Sequence, residues 1–181
     1  INSLVHKMNE DQYGHVKLIG FALDPHFEEN QFAYIYFQAS QPCIHFELQR
    51  IKISNNQVEP SATKTLLSFD SEGERHMGGC IAFDNQGYLY LSTGEDTHPC
   101  DNNNYAPTND LEGMKRFDTQ RTSANTIDYR GKVLRIKPTE DGDYSVPYGN
   151  LYEYPSDKTL AEVYAMGFRN PFTISIDPKD N

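Results

Sequence analysis

Apolar and polar residues alternate along this chain in short runs, a pattern typical of β-strands that are buried on one face. No segment keeps a helical spacing of apolar residues over three turns. Each run is bounded by Gly, Pro, Asn or Asp, which favour turns. The predicted strands cover residues 32–37, 44–53, 65–69, 81–83, 88–92, 132–136, 161–166 and 172–176. The pattern predicts an all-β chain.

The strands repeat in sequence order. Asp24 and Asp84 each end one strand and precede a turn and a second strand, and Asp177 begins the pattern a third time. Propeller blades run about 40–50 residues, so both intervals fit one four-stranded blade with insertions. The predicted fold is a partial β-propeller of about two to three four-stranded blades. Its first blade comprises residues 18–24, 32–39, 45–53 and 65–69, and its second comprises 80–84, 88–93, 132–137 and 161–167.

Residues 95–130 interrupt the second predicted blade. They hold few apolar residues, so we expect a long loop over the sheet rather than a separate core. Apart from this loop, we expect residues 1–181 to form one propeller domain. Closed propellers have about four to eight blades, and repeat units bury their faces only against neighbours. We therefore expect the remaining blades of a larger protein, or another copy of the chain, as a partner.

Charge and composition limit the classes of partner that the chain is expected to bind. The net charge is −10, from 16 basic and 26 acidic residues, which disfavours binding to nucleic acid. No run of about 18 apolar residues occurs, so no membrane span is predicted. The chain has an odd number of cysteines, Cys43, Cys80 and Cys100, and no two of them have CxxC spacing. One disulfide with one free thiol, or three free thiols, both remain open.

The candidate chemistry lies between residues 75 and 96. His76 precedes Gly78 and Gly79 at the start of one strand, and the next strand ends at Glu95 and Asp96. If the two strands form a hairpin, the imidazole lies beside a carboxylate that would orient it, which is how a general base is built. The glycines permit close approach of a flat ligand or another backbone. The alternative is a surface histidine in a glycine turn beside an acidic loop end.

Other polar residues are expected near the same rim. Arg169 and Asn170 follow the second predicted blade, and an arginine there suits an anionic or planar ligand, although a structural ion pair is the alternative. His15 precedes the first strand of the first blade. Hard oxygen ligands make calcium conceivable, but their spacing fits no EF-hand and the metal site stays unknown. These ligands are Asp96, Asp101, Asn102 and Asn103.

Together these segments resemble the glucose/sorbosone dehydrogenase family. The resemblance is carried by residues 18–25, 76–95, 130–136 and 167–171, which occur in the family's order. It implies a six-bladed propeller that oxidises an aldose at the anomeric carbon with pyrroloquinoline quinone and calcium. It further implies a sugar substrate, an electron acceptor, and a periplasmic or extracellular location.

The resemblance also implies residue roles. His76 matches the family's general base, and Arg169 and Asn170 match residues beside the cofactor. Glu95 stands where the family usually has an aspartate that supports the base, with Asp96 as the alternative partner.

Gly78, which permits the close approach of a flat ligand, is expected at the cofactor, and His15 and Asp96, at the same rim, are expected at the substrate. The family's further cofactor and calcium ligands come from later blades. A non-catalytic propeller that binds a carbohydrate or a protein is the alternative function.

Overall fold

The computed structural model describes residues 10–73, 75–97, 108–109, 111–114, 117–177 and 179. This part of the chain is mostly β, as predicted, with two short α-helices and 3-10 turns at Pro60–Ala62 and Thr119–Arg121. No helix within these ranges is long and apolar enough to cross a membrane. The helices and strands are α1 (Glu10–Tyr13), β1 (Val16–Leu23), α2 (Phe27–Asn30), β2 (Phe32–Ala39), β3 (His45–Ser54), β4 (Gln57–Val58), β5 (Lys64–Asp70), β6 (Gly78–Phe83), β7 (Leu89–Thr93), β8 (Lys132–Pro138), β9 (Tyr144–Ser145) and β10 (Val163–Met166).

The chain forms two compact units, and each contains one antiparallel sheet. The first unit comprises the described residues up to Ser71 together with Pro138–Tyr144, and the second comprises the remainder. In the first sheet, β1, β2 and β3 are neighbours in sequence order, and β5 and the short β4 both pair with β3. These strands correspond to the first predicted blade.

Alternation along β2 explains how the first sheet packs. One set of alternate residues forms an apolar cluster with Ile51 of β3, and it consists of Ala33, Ile35, Phe37 and Ala39. The ring of Tyr36, from the other set, stacks on Phe46 with centroids 5.5 Å apart. Because β2 is buried on both faces, it reads as a nearly continuous apolar run in the sequence.

The second sheet has the order β6, β7, β8, β10, with β9 paired to β8. Its strands correspond to the second predicted blade. Leu89, Leu91 and Leu134 are almost completely buried and form part of its core. Between β7 and β8 the described residues of the long insertion contain no strand, but Thr122 and Ser123 are buried.

The aspartate repeat has a structural basis. Asp24 Oδ1 accepts the His26 amide and Asp84 Oδ1 accepts the Gln86 amide, each at 2.9 Å. The other carboxylate oxygen of each accepts a tyrosine hydroxyl from the following strand, from Tyr34 at 2.9 Å and from Tyr90 at 3.2 Å. Asp177 Oδ1 likewise accepts the Lys179 amide at 2.9 Å. Each aspartate therefore closes the same two-residue Asx turn.

One strand prediction is wrong. Residues 172–176, expected to open a third blade, are not in a strand. A strand requires a hydrogen-bonded neighbour, and the described part of the chain pairs no strand with this segment. Cys43 and Cys80 are free thiols, whereas Cys100 lies outside the described residues.

Candidate active site

The site in the second unit begins with a close approach of two backbones. A Cβ on Gly94 would lie 1.6 Å from the His76 carbonyl oxygen, and one on Gly78 would lie 2.7 Å from the Gly94 nitrogen. His76 itself has φ +47°, a left-handed conformation that costs energy outside glycine. The glycines therefore admit another backbone, and this contact brings His76 to the end of β7.

The imidazole of His76 lies beside the carboxylate of Glu95. His76 Nδ1 and Glu95 Oε1 are 2.9 Å apart, and the two side chains are 10% and 1% exposed. The proximity predicted from the hairpin is therefore present. Because a carboxylate accepts, Nδ1 carries the proton in the tautomer that this hydrogen bond assigns. None of the described residues hydrogen-bonds to Nε2, so its lone pair is available to a ligand.

Arg169 and Asn170 are tied to this pair. The Glu95 amide donates to the Arg169 carbonyl at 2.9 Å, and Arg169 Nε lies 3.4 Å from Glu95 Oε1. The Asn170 side chain accepts the Gly78 amide at 3.0 Å. The Arg169 side chain is 44% exposed, so its guanidinium stays open to an anionic ligand.

The electrostatic environment favours the neutral form of His76. Burial is the largest cause that lowers its pKa below the usual value, and the Arg169 charge lowers it further. The hydrogen bond to Glu95 opposes both effects by favouring the protonated ring. The net direction is a lowered pKa, so the imidazole is ready to accept a proton at neutral pH.

Asp96 occupies a different position from Glu95. It is 2% exposed with φ +62°, and its amide donates to the His76 carbonyl at 3.2 Å. Its Oδ2 accepts the Glu72 amide at 2.5 Å and lies 3.5 Å from Arg130 Nη1. Glu95, rather than Asp96, supports the imidazole, while Asp96 shapes the backbone turn beneath it.

The remaining sequence predictions stay open. His15 lies in the first unit, where it is exposed and its amide donates to Ser40 Oγ at 2.9 Å. The substrate roles of His15 and Asp96 and the cofactor role of Gly78 stay predictions. Asp101, Asn102 and Asn103 lie outside the described residues. Within the described ranges, no group of three His, Cys, Asp or Glu side chains could hold a metal.

Two residues of the site were missed in the sequence. The fully buried Thr97 donates its hydroxyl to Glu95 Oε1, the same oxygen that faces His76. Arg130 is also buried, and its Nη2 lies 2.6 Å from Asp128 Oδ2 while its Nη1 faces Asp96. The spacings Glu-x-Thr and Asp-x-Arg were the available signals, but both are too common to identify a site.

The site has the chemistry of a base beside an anion-binding residue. An available Nε2 lone pair, an exposed guanidinium and a nearby amide fit a flat, anionic cofactor held by Arg169 and Asn170. The Nε2 lone pair can take a proton from a hydroxyl that approaches His76.

The chain is similar to proteins of known sequence over part of their length. It is 23% identical over 173 residues to the Hedgehog-interacting protein of Mus musculus, which covers 88% of this chain and 22% of that protein. It is 30% identical over 107 residues to the aldose sugar dehydrogenase YliI of Escherichia coli K12, covering 59% of this chain and 22% of that one. The chain thus spans about a fifth of these relatives.

Solved structures share the fold. The aldose sugar dehydrogenase of Streptomyces coelicolor, bound to pyrroloquinoline quinone, matches with TM-score 0.58 and 24% identity over 87% of this chain and 38% of that one. The apo form of the soluble aldose sugar dehydrogenase of E. coli matches with TM-score 0.60 and 19% identity over 87% and 39%. The two sheets correspond to part of a six-bladed propeller.

The family model described as Glucose / Sorbosone dehydrogenase matches residues 5–181. This match covers nearly the whole chain, including both sheets and every described residue of the His76 site. The chain therefore belongs to the glucose/sorbosone dehydrogenase family.

Proposed function

We propose that the protein oxidises an aldose at its anomeric carbon, with His76 as the general base. The observation that carries the proposal is the His76–Glu95 pair, which leaves Nε2 available beside the exposed Arg169 guanidinium. Oxidation of a cyclic aldose to its lactone removes a hydride from the carbon and a proton from its hydroxyl. His76 Nε2 takes that proton, and a positioned base contributes about 10² to 10⁴ in rate.

Glu95 and Thr97 serve the base by fixing its orientation. Glu95 holds Nδ1–H and stabilises the imidazolium that forms when Nε2 is protonated. The Thr97 hydroxyl donates to the same carboxylate oxygen and limits its rotation. The ring therefore cannot turn away from the substrate, and the proton taken from the sugar hydroxyl stays at Nε2.

Arg169 and Asn170 are the residues of this chain that would hold pyrroloquinoline quinone. When bound, the quinone supplies the hydride acceptor. The Arg169 charge suits its carboxylates, and Asn170 is fixed in place by the Gly78 amide. We assign calcium and the remaining cofactor contacts to other parts of the propeller. An external electron acceptor and a periplasmic or extracellular location complete the proposal.

The direct test uses the full-length protein with added quinone and calcium. Aldoses are assayed with a dye acceptor for the wild type, His76→Ala and the control His26→Ala, whose side chain is exposed outside the site. We expect His76→Ala to lose about 10² to 10⁴ in kcat/KM while the control stays unchanged. No turnover by the wild type, or equal turnover by His76→Ala, would reject the proposal.

A second candidate is a non-catalytic propeller that binds a carbohydrate or a protein. The similarity to the Hedgehog-interacting protein over 88% of this chain favours it, because that name describes binding to another protein. Binding of glycans or of a protein ligand by the wild type and by His76→Ala alike, without quinone, would support this function. Quinone-dependent turnover that His76→Ala abolishes would exclude it.

A further inference from the structure

Lys132 is a buried cation with an unusual set of partners. The residue stands at the start of β8 and is 0% exposed. Its Nζ donates to the carbonyl oxygens of Thr122, Ser123 and Arg130 at 2.8, 3.1 and 2.7 Å. No carboxylate within the described ranges forms an ion pair with it. All three hydrogen bonds of the ammonium therefore go to backbone carbonyls.

This arrangement uses the full donor capacity of the side chain. An ammonium has three N–H donors, and each here meets one carbonyl. A buried charge is costly unless its hydrogen bonds are complete, so a purely structural position would be filled more cheaply by an apolar residue. Replacement of the lysine would remove the Nζ donor from all three carbonyls, and among the described residues only Thr122 O and Ser123 O would keep a backbone amide as donor, from Asn125 and Gly167.

The carbonyls lead directly to the site. Ser123 O also accepts the Gly167 amide at 3.2 Å, and the Phe168 amide donates to Gly131 O at 3.1 Å. The Gly131 amide donates to Gly94 O at 2.9 Å. The segment 167–170, which carries Arg169 and Asn170, is therefore hydrogen-bonded to backbone groups that Lys132 holds in place.

We propose that Lys132 is a positioning residue whose ammonium fixes the segment 167–170 against Gly94, so that Arg169 and Asn170 face the His76–Glu95 pair. The role of that pair as a catalytic site rests on the function proposed above. Lys132 itself is separated from the reacting atoms and acts through Ser123 and Gly131.

The protonation state is consistent with this role. Burial lowers the pKa of Lys132 from 10.5 to about 8, with Asp128 raising it and Arg130 lowering it. The side chain therefore keeps its third N–H donor at neutral pH.

Amide hydrogen exchange of the full-length protein without cofactor tests the proposal. Lys132→Met removes the three donors, Lys132→Gln keeps two, and Lys137→Met makes the same change at an exposed position of β8. We expect the Gly167, Phe168 and Glu95 amides to exchange about 10-fold faster in Lys132→Met, less so in Lys132→Gln, and unchanged in Lys137→Met. Unchanged exchange at these amides, or equal acceleration throughout the second unit, would overturn it.

A second measurement reports on the site itself. The pKa of His76, followed by NMR, should rise in Lys132→Met because a loosened Arg169 no longer lowers it. Lys132→Gln serves if Lys132→Met does not fold. An unchanged His76 pKa in both would overturn the positioning role. Neither measurement needs turnover. A wild type without dehydrogenase activity would therefore reject the proposed function, while the amide exchange and the His76 pKa would still test the role of Lys132.

Discussion

His76 Nδ1 lies 2.9 Å from Glu95 Oε1, and the Glu95 side chain is almost completely buried. The carboxylate therefore fixes the tautomer that leaves Nε2 as the base. Glu95→Gln removes the charge and can present an amide donor to Nδ1, which favours the opposite tautomer. If His76 is the base, we expect kcat/KM for the aldose to fall by about 10²-fold or more, measured by steady-state kinetics.

Glu153→Gln is the matched control, because Glu153 is exposed in the same unit and loses the same charge. Glu95→Asp keeps the charge but shortens the side chain, so it should recover only part of the loss. Full activity in Glu95→Gln would mean that the carboxylate does not orient the base.

The pKa of His76 should respond in opposite directions to its two neighbours. Burial and Arg169 lower it, whereas Glu95 raises it. Arg169→Met should therefore raise the pKa, and Glu95→Gln should lower it further. NMR titration of the ring protons measures both. Because the wild-type value lies below 6.5, the acid limb of activity should also lie below pH 6.5.

Arg75→Met provides the control for that titration. Arg75 is the smallest named cause that lowers the pKa, so its removal should raise the value less than removal of Arg169. A larger effect from Arg75, or no effect from Arg169, would show that the guanidinium of Arg169 does not act on the ring.

Gly94→Ala should disrupt the site through its backbone. The new Cβ would lie 1.6 Å from the His76 carbonyl oxygen and 2.7 Å from the Met77 nitrogen, so the two segments must separate. We expect a loss of unfolding free energy of about 1–3 kcal/mol, the usual cost of overpacking, measured by denaturant titration.

Gly73→Ala is the comparison for this change. A Cβ there would meet nothing nearer than 3.6 Å, which is ordinary van der Waals contact. Its stability should stay close to that of the wild type. Equal stability of Gly94→Ala would require a backbone in which residues 76 and 94 are farther apart.

The aspartates that close the repeated turns should stabilise their own units. Asp84→Ala leaves the Tyr90 hydroxyl and the Gln86 and Tyr88 amides without their acceptor. We expect a cost of about 1–3 kcal/mol, visible as faster amide exchange in β6 and β7. Asp157→Ala, at an exposed position, should have no effect, and an equally stable Asp84→Ala would contradict the structural role.

Much of this fold could be predicted from the sequence because its main determinants are local. Alternation predicted the strands of both sheets, and the aspartates that mark the repeat form their Asx turns with residues nearby in the chain. The same locality brought His76 and Glu95 together, since both flank one hairpin. Residues 172–176 failed because a strand depends on a neighbour that alternation within the segment cannot supply.

The role of Lys132 could not be predicted, because it depends on the conformation of a turn earlier in the chain. In the sequence it opens an apolar strand, where a lysine usually reaches solvent. Its burial depends on carbonyls from the turn at residues 122–123, whose geometry no side-chain pattern encodes. The role of Thr97 could not be predicted either, because it depends on a hydrogen bond to the same Glu95 oxygen that faces His76.

Removing Lys132 should change how stability depends on pH. Its folded-state pKa of about 8 lies below the ordinary 10.5, so below pH 8 both states hold the proton and the burial penalty is fully present. Between these values the unfolded state binds more protons, and stability rises with pH. Relative to Lys132→Met, the wild type should gain up to about 3 kcal/mol from pH 8 to 10.5.

Denaturant titrations at pH 7 and at pH 10 measure this difference, and subtraction of the variant cancels other titrating groups such as the buried tyrosines. Lys137→Met is the control for the loss of a lysine at an exposed position of the same strand. If the unfolding free energy of the wild type minus that of Lys132→Met stays constant or falls as pH rises, Lys132 is not a charged residue held in the interior. A growing difference would mean that the folded protein keeps the ammonium at neutral pH against its burial penalty, for which the three carbonyls are the physical reason.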